Sequence, residues 1–158
     1  MKNNAGFTLI EILIALAVML ILLGLTTLNF TSIQHKTTLA STIEVLLADL
    51  GQQQIKAMVG DTEGRVATDN YGIHFISTGY TLFYRSYSAT DAANFSVTMP
   101  TGQQVIASLP ESEVIFQKGS GDIVNYTATQ SAVTLRDTTT GEQKVIQLNR
   151  YGVVTGVN

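Results

Sequence analysis

The chain is predicted to adopt an α+β fold: a long N-terminal helix, apolar then amphipathic, packed on an antiparallel β-sheet or sandwich. Three observations predict it. Residues 7–28 form an almost unbroken aliphatic run, apolar residues then recur at helical spacing from Leu39 to Leu50, and beyond Gly64 the apolar period falls to two, with turn residues between the runs.

The first element is the run at 7–28. Its strongly polar side chain is Glu11, and Thr8, Gly24, Thr26 and Thr27 are the other interruptions. As a helix it is roughly 33 Å long, enough to cross a hydrocarbon core of about 30 Å, so it is predicted to span a bilayer. Only six residues precede it, with Lys2 their one charge, which predicts a cytoplasmic N-terminus and an extracytoplasmic remainder. A cleaved secretory signal fits poorly, since 24–29 holds no Ala-x-Ala and a carboxylate sits inside the apolar run. A lipoprotein signal needs cysteine, and the chain has none. A plain single-pass anchor explains the hydrophobicity but not Gly6, Phe7 and Glu11. An acidic group near the start of a membrane-length segment is costly until something neutralises it, and that points to assembly.

The second element follows a polar, Thr-rich stretch at 29–38, where Gly24 and the threonines lower helix propensity. Leu39, Ile43, Leu46, Leu47 and Leu50 lie on one helical face, while Glu44, Asp49, Gln52, Gln53 and Lys56 fall largely off it. Ile55, Met58 and Val59 are read as extending this core-packing stripe to about Gly60, where 60–64 ends the helix.

The strands come next. Residues 71–76 and 80–85 alternate about a turn at 77–79 and predict a β-hairpin; 95–99 and 103–107 flank Pro100, Thr101 and Gly102 as a second. Runs at 114–117 and 123–127 enclose 118–122, runs at 132–137 and 143–148 enclose 138–141, and a last short strand at 153–157 follows the turn at 149–152. The organisation read from these elements is a leader at 1–6, a membrane segment at 7–28, its amphipathic continuation at 29–60 and one β-rich domain at 61–158.

Composition narrows the function. Nine Lys and Arg against twelve Asp and Glu leave no basic footprint for nucleic acid. The lack of cysteine removes disulfides, thiolate metal sites and thiol nucleophiles. His35 and His74 are far apart and lack a ligand spacing such as H-E-x-x-H, and His74 is expected on a sheet surface. No G-x-S-x-G or paired-carboxylate signature stands out. Gly119, Ser120, Gly121 and Asp122 lack the lysine of a P-loop and the ligand ladder of an EF-hand, so a hairpin turn is the expected reading; Glu111, Glu113 and Asp122 read as solvated charges. No enzyme activity, cofactor or metal site is expected.

The short leader ending in Gly6, then Phe7, Thr8, Leu9, Ile10 and Glu11 before an aliphatic run, closely resembles the class III signal of type IV prepilins and type II secretion pseudopilins. The resemblance implies that prepilin peptidase cuts after Gly6 and that Phe7 becomes the N-methylated terminus. Glu11 is then the fifth-position glutamate of the mature chain, which governs assembly and register. It further implies a pilin-like fold, other pilin or pseudopilin subunits and an inner-membrane assembly platform as partners, and the lipid bilayer as the environment before assembly. The location implied is single-pass in the cytoplasmic membrane, then an extracytoplasmic filament. Tyr71, Gly72 and Ile73 opening a strand, and the close of the chain at 145–154, resemble the H-type minor pseudopilins and their FimT-like relatives more than major subunits. Glu11 separates the chain from the tip-capping pseudopilin. The alternative function is a binding module displayed on such a filament, with the loop at 86–93 meeting DNA, a secreted substrate or a surface, and with Tyr84, Arg85 and Tyr87 available to stack on single strands.

Overall fold

The computed structural model describes residues 8–124 and 126–158, and the backbone alone over 25–37. The architecture is α+β: α1 (Leu9–Val59) followed by eight strands, β1 (Tyr71–Ile76), β2 (Gly79–Tyr84), β3 (Phe95–Thr98), β4 (Gln103–Ser108), β5 (Glu113–Phe116), β6 (Ala132–Asp137), β7 (Gln143–Leu148) and β8 (Val154–Val157). The chain divides into two compact units between Thr37 and Thr38.

The first unit holds the beginning of α1. Its described large aliphatic side chains, from Leu9 to Leu23, are 50 to 81 % exposed, so the helix is apolar on every side with none of those sides covered. Among the described residues no helix is long and apolar enough to cross a membrane. Phe7 and the side chains at 25–28, which complete the predicted span, lie outside them, as do the leader at 1–6 and the side chain of His35.

The second unit has two four-stranded antiparallel sheets, ordered β3-β2-β1-β5 and β4-β6-β7-β8. Leu39, Ile43, Leu46, Leu50 and Ala57 of α1 share one core with Tyr71, Ile73 and Phe75 of β1, Val114 and Phe116 of β5, Val133 and Leu135 of β6, and Ile146 and Leu148 of β7. The alternation along each strand places these side chains on one face, as a period of two demands.

The helical stripe departs from its predicted course after Leu50. Ile55, Met58 and Val59 are 60, 49 and 72 % exposed, whereas Gln53 and Ala57 are buried. Three and seven residues past Leu50 the helix returns to the same face, so Gln53 and Ala57 inherit the core position whatever their polarity. The helix stops as predicted at Gly60, which has φ 65. The Asp61 N–H donates to the Lys56 carbonyl at 2.9 Å and the Gly60 N–H to that of Ala57 at 3.3 Å, a Schellman closure.

Two predicted hairpins form, β1 with β2 and β6 with β7, and β8 returns antiparallel to β7. The pairing predicted for 95–99 with 103–107 does not. β3 pairs with β2 and β4 with β6, so the turn at Pro100 to Gly102 carries the chain from one sheet to the other. The β1–β2 turn receives it: Met99 N–H donates to the Thr78 carbonyl and Val105 N–H to that of Ser77. The strand predicted at 123–127 reduces to isolated bridges, Phe116 with Ile123 and Thr127 with Gln130, and its Asn125 is outside the described residues.

On the outward face of the first sheet, Gly72 lies opposite Phe83, and a Cβ built at Gly72 would come within 2.4 Å of that ring and 2.8 Å of the Val114 carbonyl oxygen. Phe83 is therefore buried over a glycine. His74 is half-buried beside it, its Nδ1 3.1 Å from a Glu113 oxygen and its ring stacked on Tyr87 at 3.8 Å between centroids. His74 was expected on a sheet surface and lies there, but covered by the loop after β2.

Candidate functional site

Of the three residues singled out near the N-terminus, Glu11 lies within the described part, while Gly6 and Phe7 lie outside it. Thr8 precedes the first residue of α1 and its carbonyl accepts the Ile12 N–H, which makes it the N-cap. Glu11 then occupies the third helical position. Its Oε2 accepts the Thr8 N–H and the Thr8 hydroxyl, each at 2.8 Å, and the Glu11 N–H reaches the Thr8 Oγ1 at 3.4 Å. This is a reciprocal capping box, in which two N–H groups left open by the helix start are satisfied by side chains. One carboxylate oxygen, Oε1, takes no bond within the described residues.

Thr8 is thus the local partner of Glu11. The signal for it is present, because Thr8 and Glu11 have the three-residue spacing of a capping box at the head of an apolar run. Beside it, Ile12, Ala15, Leu16 and Met19 line a concavity of about 330 Å³ with Glu11, on one helical face.

The loops of the second unit carry the other candidates. Arg65 lies over the Tyr84 ring at 4.4 Å and bonds Glu63 at 2.6 Å, and the Tyr84 hydroxyl donates to the Ala67 carbonyl. Arg85 bonds Asp69 at 3.1 Å. Tyr87 stacks on His74 and tilts against Phe83. The aromatic and cationic groups offered for stacking on single strands are therefore engaged within the protein. Glu63 is held below the usual carboxylate range, first by the hydrogen bond from Lys56 and then by that from Arg65. Asp69 is lowered chiefly by the backbone N–H of Asn70, with Arg85 adding to it.

Residues 119–122 close a turn, with the Gly121 N–H on the Gln117 carbonyl and the Gln117 N–H on the Asp122 carbonyl, both at 2.8 Å. Among the described residues no three His, Asp or Glu side chains are grouped to hold a metal ion. Glu113 pairs with His74, while Glu111, on a short 3₁₀ turn, has φ 53.

Compared with known proteins, residues 1–27 match the family described as the prokaryotic N-terminal methylation motif. No curated protein and no solved structure matches the chain.

Proposed function

We propose that this chain is a non-catalytic structural subunit of a type IV pilus or type II secretion pseudopilus, of the minor H-like kind. The N-terminal methylation motif fits a pilin or pseudopilin and implies processing by prepilin peptidase and assembly with other pilins. The observation that carries the reading is the capping box on Glu11, seated within that motif.

Cleavage after Gly6 makes Thr8 the second residue of the mature chain and leaves a methylated ammonium on Phe7, since methylation keeps the charge. Thr8 fixes one oxygen of Glu11 and leaves the other open. When apolar helices stack with an axial offset, the ammonium of one subunit then meets a carboxylate already held in place by its own helix. Two groups that are each unfavourable in an apolar filament core offset one another, and the pair fixes a register that apolar packing alone would let slide. Before assembly the run at 7–28 spans the cytoplasmic membrane, with Lys2 inside and residues 29–158 outside, and the assembly platform extracts it. The uncovered aliphatic surface around α1 supports both environments, because each covers it.

Intact-mass analysis of the protein extracted from membranes that contain its peptidase tests this reading. The expected mass is that of residues 7–158 plus one methyl group. A chain still beginning at Met1 overturns it.

A further inference from the structure

We propose that the cleft between the second half of α1 and the β2–β3 side of the first sheet binds a primary ammonium or guanidinium group on an apolar stem. A lysine or arginine side chain carries this chemistry, and so does a free alkyl diamine. The cleft has a volume of about 290 Å³ and is walled by Asp49, Gln52 and Gln53 of the helix and by Tyr71, Tyr84 and Phe95 of the sheet.

The polar groups of these walls are unevenly committed. The tyrosine hydroxyls already donate to loop carbonyls, Tyr71 to that of Asp61 at 3.0 Å and Tyr84 to that of Ala67. Burial pushes the Tyr71 hydroxyl up to about 12, so it remains a donor. Lys56 and Arg65 share Glu63, at 2.5 and 2.6 Å, and Lys56 lies 5.7 Å from the Tyr71 ring centre, so both cations are committed to that carboxylate.

The acceptors remain open. Gln53 is 2 % exposed, and its Oε1 is buried with no hydrogen-bond partner. A buried acceptor left without a donor is a standing cost, which a bound donor removes. Asp49 accepts the Tyr80 hydroxyl through one oxygen, at 2.5 Å, and among the described residues no cation pairs with it. Phe95, 65 % exposed, presents a ring for an aliphatic stem or a cation.

A buried amide oxygen without a donor, tyrosine hydroxyls already in use and one carboxylate without a cation select a ligand that only donates and is positively charged. An anion meets Asp49, and a sugar finds the hydroxyl donors already in use. The inference is independent of the reading of the N-terminal segment, since every residue of the cleft belongs to the second unit.

The test is a ¹H–¹⁵N NMR titration of the full-length protein in detergent micelles with four probes: cadaverine, the capped tripeptide Gly-Lys-Gly, n-pentanol and glucose. Saturable shifts at the Gln53 side-chain amide and the Phe95 backbone are expected with cadaverine, the tripeptide or both. Saturation by the tripeptide alone assigns the site to a basic side chain of a partner protein; saturation by cadaverine alone assigns it to free amines. Gln53→Met keeps the volume and removes the acceptor, and is expected to weaken binding about tenfold or more. Asp49→Asn keeps an oxygen for Tyr80, removes the charge, and is expected to weaken binding similarly whether or not Gln53→Met folds. The inference is overturned by no saturable shift with either amine, by equal response to n-pentanol, by saturation with glucose only, or by undiminished amine binding in a folded Gln53→Met or Asp49→Asn.

Discussion

The Gln54 side-chain amide donates to the Tyr151 carbonyl at 2.6 Å, joining α1 to a turn 97 residues away, and also to the Gly121 carbonyl at 3.0 Å. One nitrogen thus ties the helix to two loops. Both loops come close through glycine: a Cβ at Gly152 would lie 2.5 Å from the Gln54 Nε2, and one at Gly121 would lie 2.5 Å from the Met58 Cγ.

Gln54→Ala is expected to lower stability by about 1–2 kcal/mol, the cost of two carbonyls losing a shared donor. Gly152→Ala is expected to cost more, about 2 kcal/mol or above, because the residue has φ 72 and the added methyl also meets Phe116 at 2.8 Å. Chemical denaturation followed by circular dichroism measures both. An unchanged midpoint for Gly152→Ala contradicts the close approach.

Glu11→Val should leave membrane insertion intact and abolish or weaken recruitment into filaments. Thr8→Val should weaken it too, by freeing the carboxylate of its cap, while Thr8→Ser, which preserves the capping box, should assemble as the native chain does. Sheared-filament immunoblots beside membrane-fraction blots separate insertion from assembly. Normal incorporation of Glu11→Val removes the role assigned to that carboxylate.

Glu63 supplies the pH dependence. Its folded-state value lies below the ordinary 4.5, owing first to the Lys56 hydrogen bond, so its stabilising contribution is complete above that value. That contribution is lost as the pH falls through the folded value. Glu63→Gln should therefore be less stable than the native chain at neutral pH, by about 1 kcal/mol or less since the pair is partly exposed, and the gap should close in acid. Thermal midpoints across an acid-to-neutral series check this, and a gap that widens on acidification contradicts it.

The phase of α1 has a direct test in two truncations. Leu46→Ala, at a fully buried position, is expected to cost about 2–5 kcal/mol. Ile55→Ala, at a position 60 % exposed, should fall within about 0.5 kcal/mol of the native chain. Comparable losses at the two sites would restore Ile55 to the core.

The legibility of the fold follows the range of the interactions that build it. The helix stop at Gly60 and the β1–β2 and β6–β7 hairpins depend on neighbours a few residues apart, and each was readable from turn residues and periodicity. The separation of β3 from β4 was not. Pro100, Thr101 and Gly102 form a turn acceptable in a hairpin, but the partners that draw β3 to β2 and β4 to β6 lie elsewhere in the chain. The same holds for Gln53, whose polarity argued for solvent while the helical phase set by Leu46 and Leu50 carried it into the core.

The candidate sites divide along the same line. The Thr8–Glu11 box is local, so the sequence by itself determined it, together with the apolar run, the methylation motif and the order of helix and strands. Only the tertiary structure decided that Tyr84 and Tyr87 are occupied by Arg65 and His74, that Gln54 bridges two loops, and that Asp49 and the unpartnered Gln53 face one cleft with Phe95. A three-residue spacing on a helix sets a distance through backbone geometry alone, whereas contacts between residues tens of positions apart exist only once burial has chosen which faces of α1 and the two sheets meet.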